Sequence, residues 1–284
     1  MIPPITRIDL KYTQPNPAGI PTWYRPTISP EHGIYVVLLV SFLTGAAAAQ
    51  HWTWATTLAL ICAFCGFQAE HPVVVQIRQR KSLKPRFLLW GGIYGGTASA
   101  IALYLYWRTG EPFSPLLWIY LGAIVTLIVD SISVLYREQK SIFNELITFA
   151  AVCLVAPFAY IVTTGHISGV AIGLWLMNTL FFSSSIFTVK LRKIKKDELL
   201  NASFQRLIIY HLFATGIVIS LYNFGFVSLF TALTFGIVLG KVGCILWQRE
   251  WYCTTKIQHV AMIETLSALL FCITAAISVL PVHL

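Results

Sequence analysis

The sequence predicts an all-α fold: a polytopic transmembrane helical bundle of about nine spans, N-terminus cytoplasmic and C-terminus outside. Three observations carry this expectation. Apolar residues make up 57% of the chain and charged residues 11%, with a mean hydropathy of +0.72, values of a membrane protein rather than a soluble domain. Nine apolar runs are long enough to cross a bilayer, which takes roughly 17–25 residues. Nineteen of the twenty Lys and Arg residues then fall on one side of the membrane, and positive charge stays cytoplasmic.

The elements follow in order. The first thirty residues are polar and carry seven prolines, so 1–30 reads as a Pro-rich cytoplasmic tail and 31–284 as the transmembrane helical domain. No cleavable signal peptide is visible in that tail. The runs lie at about 34–49, 52–69, 87–107, 115–136, 142–163, 167–189, 207–222, 226–247 and 260–281. Connections of one parity are brief, and of the basic residues they hold only Arg108. Connections of the other parity are the longer, polar ones at 70–86, 190–206 and 248–259. They carry Arg78, Arg80, Lys81, Lys84 and Arg86, then Lys190, Arg192, Lys193, Lys195, Lys196 and Arg206, and finally Arg249 and Lys256. An odd number of spans places the C-terminus opposite the N-terminus.

A net charge of +9 would suggest nucleic acid in a soluble chain. Here retention of inner loops beside anionic lipid explains it, and the bilayer, not nucleic acid, is the expected partner. The six cysteines lie in or next to spans, so no outer-face disulfide framework is expected. Cys62 and Cys65 share a helical face, but among apolar neighbours they read as structural thiols. There is no H-E-x-x-H, no Walker loop and no Gly-x-Ser-x-Gly.

Candidate chemistry collects at the inner ends of the spans. Of eleven acidic residues only Glu111 is outside, whereas Glu31, Glu70, Asp130, Glu145 and Glu264 sit at or within inner span ends. A carboxylate in lipid costs at least ~2.5–3.5 kcal/mol, so such groups face the protein interior and find partners. Cations stand at the same depth: Arg137 two turns after Asp130, Lys140, Lys190 and Arg192, and Lys241 before the end of span eight. His32 follows Glu31, and His211 lies one turn into span seven. Charged groups at matching depth predict a polar cavity open to the cytoplasmic side, on which Asp130, Glu145, Lys241 and Glu264 converge. Arg78, Arg80, Lys81, Lys84, Lys193, Lys195 and Lys196 read instead as topology charges that snorkel, and Ser183, Ser184 and Ser185 as packing residues.

The motif Pro30-Glu31-His32-Gly33, running into the first apolar helix, resembles the opening of the YwiC-like family of bacterial membrane proteins. Similar stretches run from Arg137 through Asn144-Glu145-Leu146 and from Leu176 through Phe187-Thr188-Val189-Lys190, so the resemblance extends over about 30–280. It implies a bacterial membrane location and no particular activity.

At the level of topology the chain also resembles the UbiA superfamily of intramembrane prenyltransferases. That likeness implies a prenyl diphosphate held through Mg²⁺ by Asp-rich motifs at the ends of spans two and six. At those places this chain has Glu70-His71-Pro72 and Ser185 to Lys190, with at most one carboxylate each. A hard divalent ion wants clustered carboxylates, so Mg²⁺ is argued against and no other cofactor or metal is expected.

The leading functional expectation is an integral membrane protein that binds or modifies an amphipathic anionic lipid, an isoprenoid among the candidates. Its headgroup would lie among Arg137, Lys140, Lys190, Arg192 and Lys241. The competing classes are a non-catalytic scaffold with membrane-protein partners and, against the one-sided charge, a secondary transporter. No catalytic residue is identified.

Overall fold

The computed structural model describes residues 25–79, 83–138, 140–191 and 197–280, and among them it is all helix and connection. The helices are α1 (His32–Ala48), α2 (Trp54–Gln79), α3 (Pro85–Thr109), α4 (Leu116–Tyr136), α5 (Ile142–Cys153) and α6 (Val155–Thr164). They continue with α7 (Gly169–Leu191), α8 (Asp197–Asn223), α9 (Leu229–Leu233), α10 (Gly236–Trp247), α11 (Arg249–Thr254) and α12 (Ile257–Val279). Eight helical stretches are long and apolar enough to cross a membrane, counting α5 with α6 and α9 with α10 as one each. Of the two other helices, α11 has only six residues, and α1, with 17 residues, is about 25 Å long, at the short end of what spans. The protein is an integral membrane protein, and each of the nine apolar runs is largely helical.

The ends differ in two places. The second run stops at residue 69, yet α2 continues through Pro72 to Gln79. Proline removes one backbone hydrogen bond without ending the helix, and its buried ring packs against Gly91 of α3. Helix α8 begins at Asp197, ten residues before the apolar run, because a polar sequence such as 197–206 can extend a helix beyond the bilayer. The fifth span breaks at Leu154, three residues before Pro157, whose missing N–H leaves the Cys153 carbonyl without its intrahelical donor.

Helix α1 occupies the centre, packed against α5, α6, α7 and α12. Gly45 lets α1 and α6 cross so closely that a Cβ there would collide with the Ala156 carbonyl. A buried polar knot ties α1 to α7. Ser41 donates to Asn178 Oδ1 at 3.2 Å, and Asn178 Nδ2 donates to Thr44 Oγ1 at 3.0 Å and to the Leu174 carbonyl at 2.8 Å. Helix α3, by contrast, packs on α2 and touches little else.

Of the expected tail, residues 1–24 lie outside the described residues. Residues 25–30 dock on the bundle, with Thr27 and Ser29 buried. Arg86 Nε and Nη2 donate to the carbonyls of Arg25 and Pro26 at 2.8 and 3.0 Å, and the Ser29 N–H donates to Gln68 Oε1 at 3.1 Å.

Candidate functional site

The start of α1, the second half of α2, the last turns of α4, the first turns of α5 and the last turns of α7 meet at one end of the bundle. They enclose a polar cavity of about 700 Å³. Six of the residues expected in a site line it: Glu31, Glu70, Asp130, Lys140, Glu145 and Lys190. Ser29, His71, Arg78, Asn144, Thr148 and Ser185 share its wall. Exposure grades with depth: Glu31, Arg78 and Lys140 are at the mouth, Glu70, Glu145 and Lys190 are half-buried, and Asp130 and Asn144 are buried.

Local structure explains the placement. Ser141 caps α5 by accepting from the Asn144 N–H at 3.2 Å, which fixes the first turn and sets both Asn144 and Glu145. Asn144 Nδ2 then donates to Asp130 Oδ1 at 3.1 Å. Lys190 Nζ meets Glu145 Oε2 at 2.6 Å and donates to the Lys140 carbonyl at 3.3 Å, joining α7 to the α4–α5 turn. Glu31, although at the mouth, is crowded by protein. Desolvation first, then the Asp130 carboxylate, raise its pKa above the ordinary carboxylate range, while Arg78 acts in the opposite direction.

Beneath the polar cavity lies an apolar chamber of about 410 Å³, walled by α2, α3, α4, α5 and α6, with Leu38 of α1 completing the lining. The two compartments share Phe67, Glu70, Asp130, Thr148 and Val152, so the floor of one is the mouth of the other. Small residues make the room: Ala63 and Gly66 on α2, Gly95, Ala98 and Ser99 on α3, Ala123 on α4 and Ala151 on α5.

The remaining expected residues are elsewhere. Lys241 and Glu264 do not line the cavity with Asp130 and Glu145; they form a separate packed group. Lys241 Nζ meets Glu264 Oε2 at 2.8 Å, Thr188 Oγ1 donates to Glu264 Oε1 at 2.8 Å, and Lys241 Nζ lies 5.7 Å from the centre of the Phe181 ring. Buried His211 belongs to this side of the bundle: its Nε2 is 2.8 Å from Ser184 Oγ and its Nδ1 2.7 Å from the Leu207 carbonyl. A carbonyl only accepts, so Nδ1 carries the proton and Nε2 of a neutral imidazole takes the Ser184 hydroxyl. Helix α7 divides the two groups. Ser184 and Thr188, four apart, meet His211 and Glu264 respectively, whereas Ser185, Ile186, Val189 and Lys190 face the cavity.

His32 is exposed and stacks 6.5 Å from Tyr35. Arg137 is the left-handed C-cap of α4 (φ 64°), exposed and outside the cavity lining. Arg192 lies outside the described residues. The sequence reading missed Arg78, taken as a topology charge, because continuation of α2 past Pro72 carries it to the mouth. It also missed Asn144, for which the signal was a polar amide in the first turn of an apolar helix.

Glu31, Glu70 and Asp130 share a wall, but among the described residues no three His, Cys, Asp or Glu side chains converge as a set that could hold a metal ion.

The first six helices carry most of the cavity and the chamber. Residues 28–160 match the YwiC-like protein family. The match takes in the docked segment, α1 to α5 and part of α6; it falls short of the 30–280 stretch expected from the motifs. Within the YwiC-like region lie Glu31, Glu70, Arg78, Asp130, Lys140, Asn144 and Glu145, while Ser185 and Lys190 come from outside it. No curated protein matches the chain.

Proposed function

We propose that the protein binds, and in one version modifies, an amphipathic anionic lipid at the cytoplasmic leaflet, with an isoprenoid chain among the candidate tails. The observation that carries this reading is the union of two unlike compartments. A polar cavity with Arg78, Lys140 and Lys190 on its wall opens through Glu70 and Asp130 into an apolar chamber. A water-soluble ligand has no use for the chamber, and a pure hydrocarbon has none for the cavity; an amphiphile uses both. Lys and Arg donate charge-assisted hydrogen bonds to phosphate or carboxylate oxygens, and carboxyl groups on the same wall suit hydroxyl or amine groups of a head. The cytoplasmic assignment rests on the basic residues at this end of the bundle.

The test is mass spectrometry of lipid co-purified with the protein, followed by binding of that lipid class with NaCl and EDTA varied. Binding should weaken with salt, because the mouth is near water, and should survive EDTA. Lys190→Gln should weaken it by more than the ~0–1 kcal/mol of an exposed pair, and Lys195→Gln by almost nothing. Absence of any anionic amphiphile would overturn the reading and favour a scaffold. Abolition by EDTA would restore a metal-dependent site.

A further inference from the structure

We infer that the tail of this ligand enters sideways from the bilayer, through a slot between α3 and α4. The inference rests on the amphiphile reading and adds the route. Helices α3 and α4 both line the apolar chamber yet hardly touch each other. The exposed residues of the chamber lining are Ser99 on α3, Ala123, Ile124 and Leu127 on α4, and Gly66 on the adjoining α2. The lining residues of α1, α5 and α6 are buried or half-buried. The chamber is therefore walled on its inner sides and open on one.

The slot has a closed end and an open one. Tyr120 Oη donates to the Ala102 carbonyl at 3.0 Å, tying the start of α4 to the far part of α3. From Ser99 toward the polar cavity the α3 side is made of Gly95, Ala98 and Ser99, too small to bridge to Ile124 and Leu127. At membrane depth the only medium outside is hydrocarbon, so a slot of this kind exchanges lipid chains rather than water. Its continuity with the polar cavity keeps a head among Arg78, Lys140 and Lys190 while the chain slides in laterally beneath Glu70 and Asp130. The head thus need not leave the interface, nor the chain cross water.

The test uses phosphatidylglycerol carrying a diazirine in its acyl chain, in nanodiscs with the intact protein, and maps the photo-adducts. In the unaltered protein, adducts should appear on Ala151 and Val155, which face the chamber from its inner side. Ser99→Trp, at the slot, and Gly66→Leu, where a Cβ meets nothing within 4 Å, should each cut those adducts about tenfold. That is the affinity of roughly two buried methylenes. Leu103→Trp, on the outward face of α3, should leave them unchanged and controls for folding. Adducts that persist in both blocked variants would overturn the lateral route and leave the amphiphile reading standing. Absence of inner adducts in the unaltered protein would overturn both. Cross-links at Ser99 to a co-purified membrane helix would overturn the route by giving the slot another occupant.

Discussion

Asn144 donates its side-chain amide to Asp130 at 3.1 Å, joining the last turns of α4 to the first turn of α5 across the deepest point of the polar cavity. The bond satisfies part of a carboxylate that is 9% exposed, and it holds that carboxylate on the boundary between the two compartments. The cap at Ser141 stands behind it. Cavity geometry thus depends on a short polar series: Ser141, Asn144, Asp130.

Replacing Asn144 with Leu should therefore destabilise the bundle by about 1.5–3 kcal/mol, the loss of a hydrogen bond to a charged group. Asn144→Leu combined with Asp130→Leu should recover part of it, since an apolar pair leaves no orphaned acceptor. Equilibrium unfolding in mixed micelles measures both. A double variant no better than the single one would mean that the bond does not organise the α4–α5 junction.

Lys241 and Glu264 give a sharper contrast. Their side chains are 4% and 21% exposed, so Lys241→Met strands a carboxylate and should cost about 3–5 kcal/mol. Lys241→Met with Glu264→Gln removes both charges and should return much of that. Such a pattern, read in the same unfolding assay, identifies a packed ion pair; equal costs for the single and double variants would show that the two charges are solvated separately.

Glu31 predicts a pH dependence. Its raised pKa means that the folded protein holds the proton more tightly than the unfolded chain. The stability it contributes is full below the unfolded value, about 4.3, and is lost as pH rises through the folded value. Melting temperature should accordingly fall as pH rises on the acid side of neutrality, and Glu31→Gln should flatten that slope. Identical slopes with and without Glu31 would contradict the crowding at the mouth.

Topology is open to direct labelling. With the native cysteines removed, a cysteine at Gly110, in the connection after α3, should react with an impermeant thiol reagent applied from outside the cell. One at Lys195 should react only after permeabilisation. Reversal of the two would invert the bundle and move the cavity to the other leaflet.

The all-helical membrane fold, with eight helices long enough to span and the shorter α1, was legible because run length is a property of sequence alone, and short connections leave the order of the helices little freedom. The depth of Asp130, Glu145, Lys241 and Glu264 was legible for the same reason, since depth is counted along a helix. Their division into two groups was not, because it depends on how α7 is rotated against its neighbours. One turn of that helix carries Ser184 to His211 and Ser185 to the cavity, and no pattern in the apolar sequence 176–189 distinguishes the two faces. Arg78 was hidden by Pro72, which in water would more readily have ended the helix; neighbouring helices compensate for the lost bond in a bundle.

The contact of Arg86 with the carbonyls of Arg25 and Pro26 ties the first turn of α3 to a segment sixty residues earlier. Because α3 has few other neighbours, its inclination is set largely by α2 along its length and by this clasp at one end. Shortening the chain to residue 27 would remove both acceptors and unhitch that end, even though no residue of the cavity wall had been touched. The N-terminal segment is thus a guy-rope for a peripheral helix, and its integrity belongs to the architecture of the apolar chamber as much as any side chain lining it.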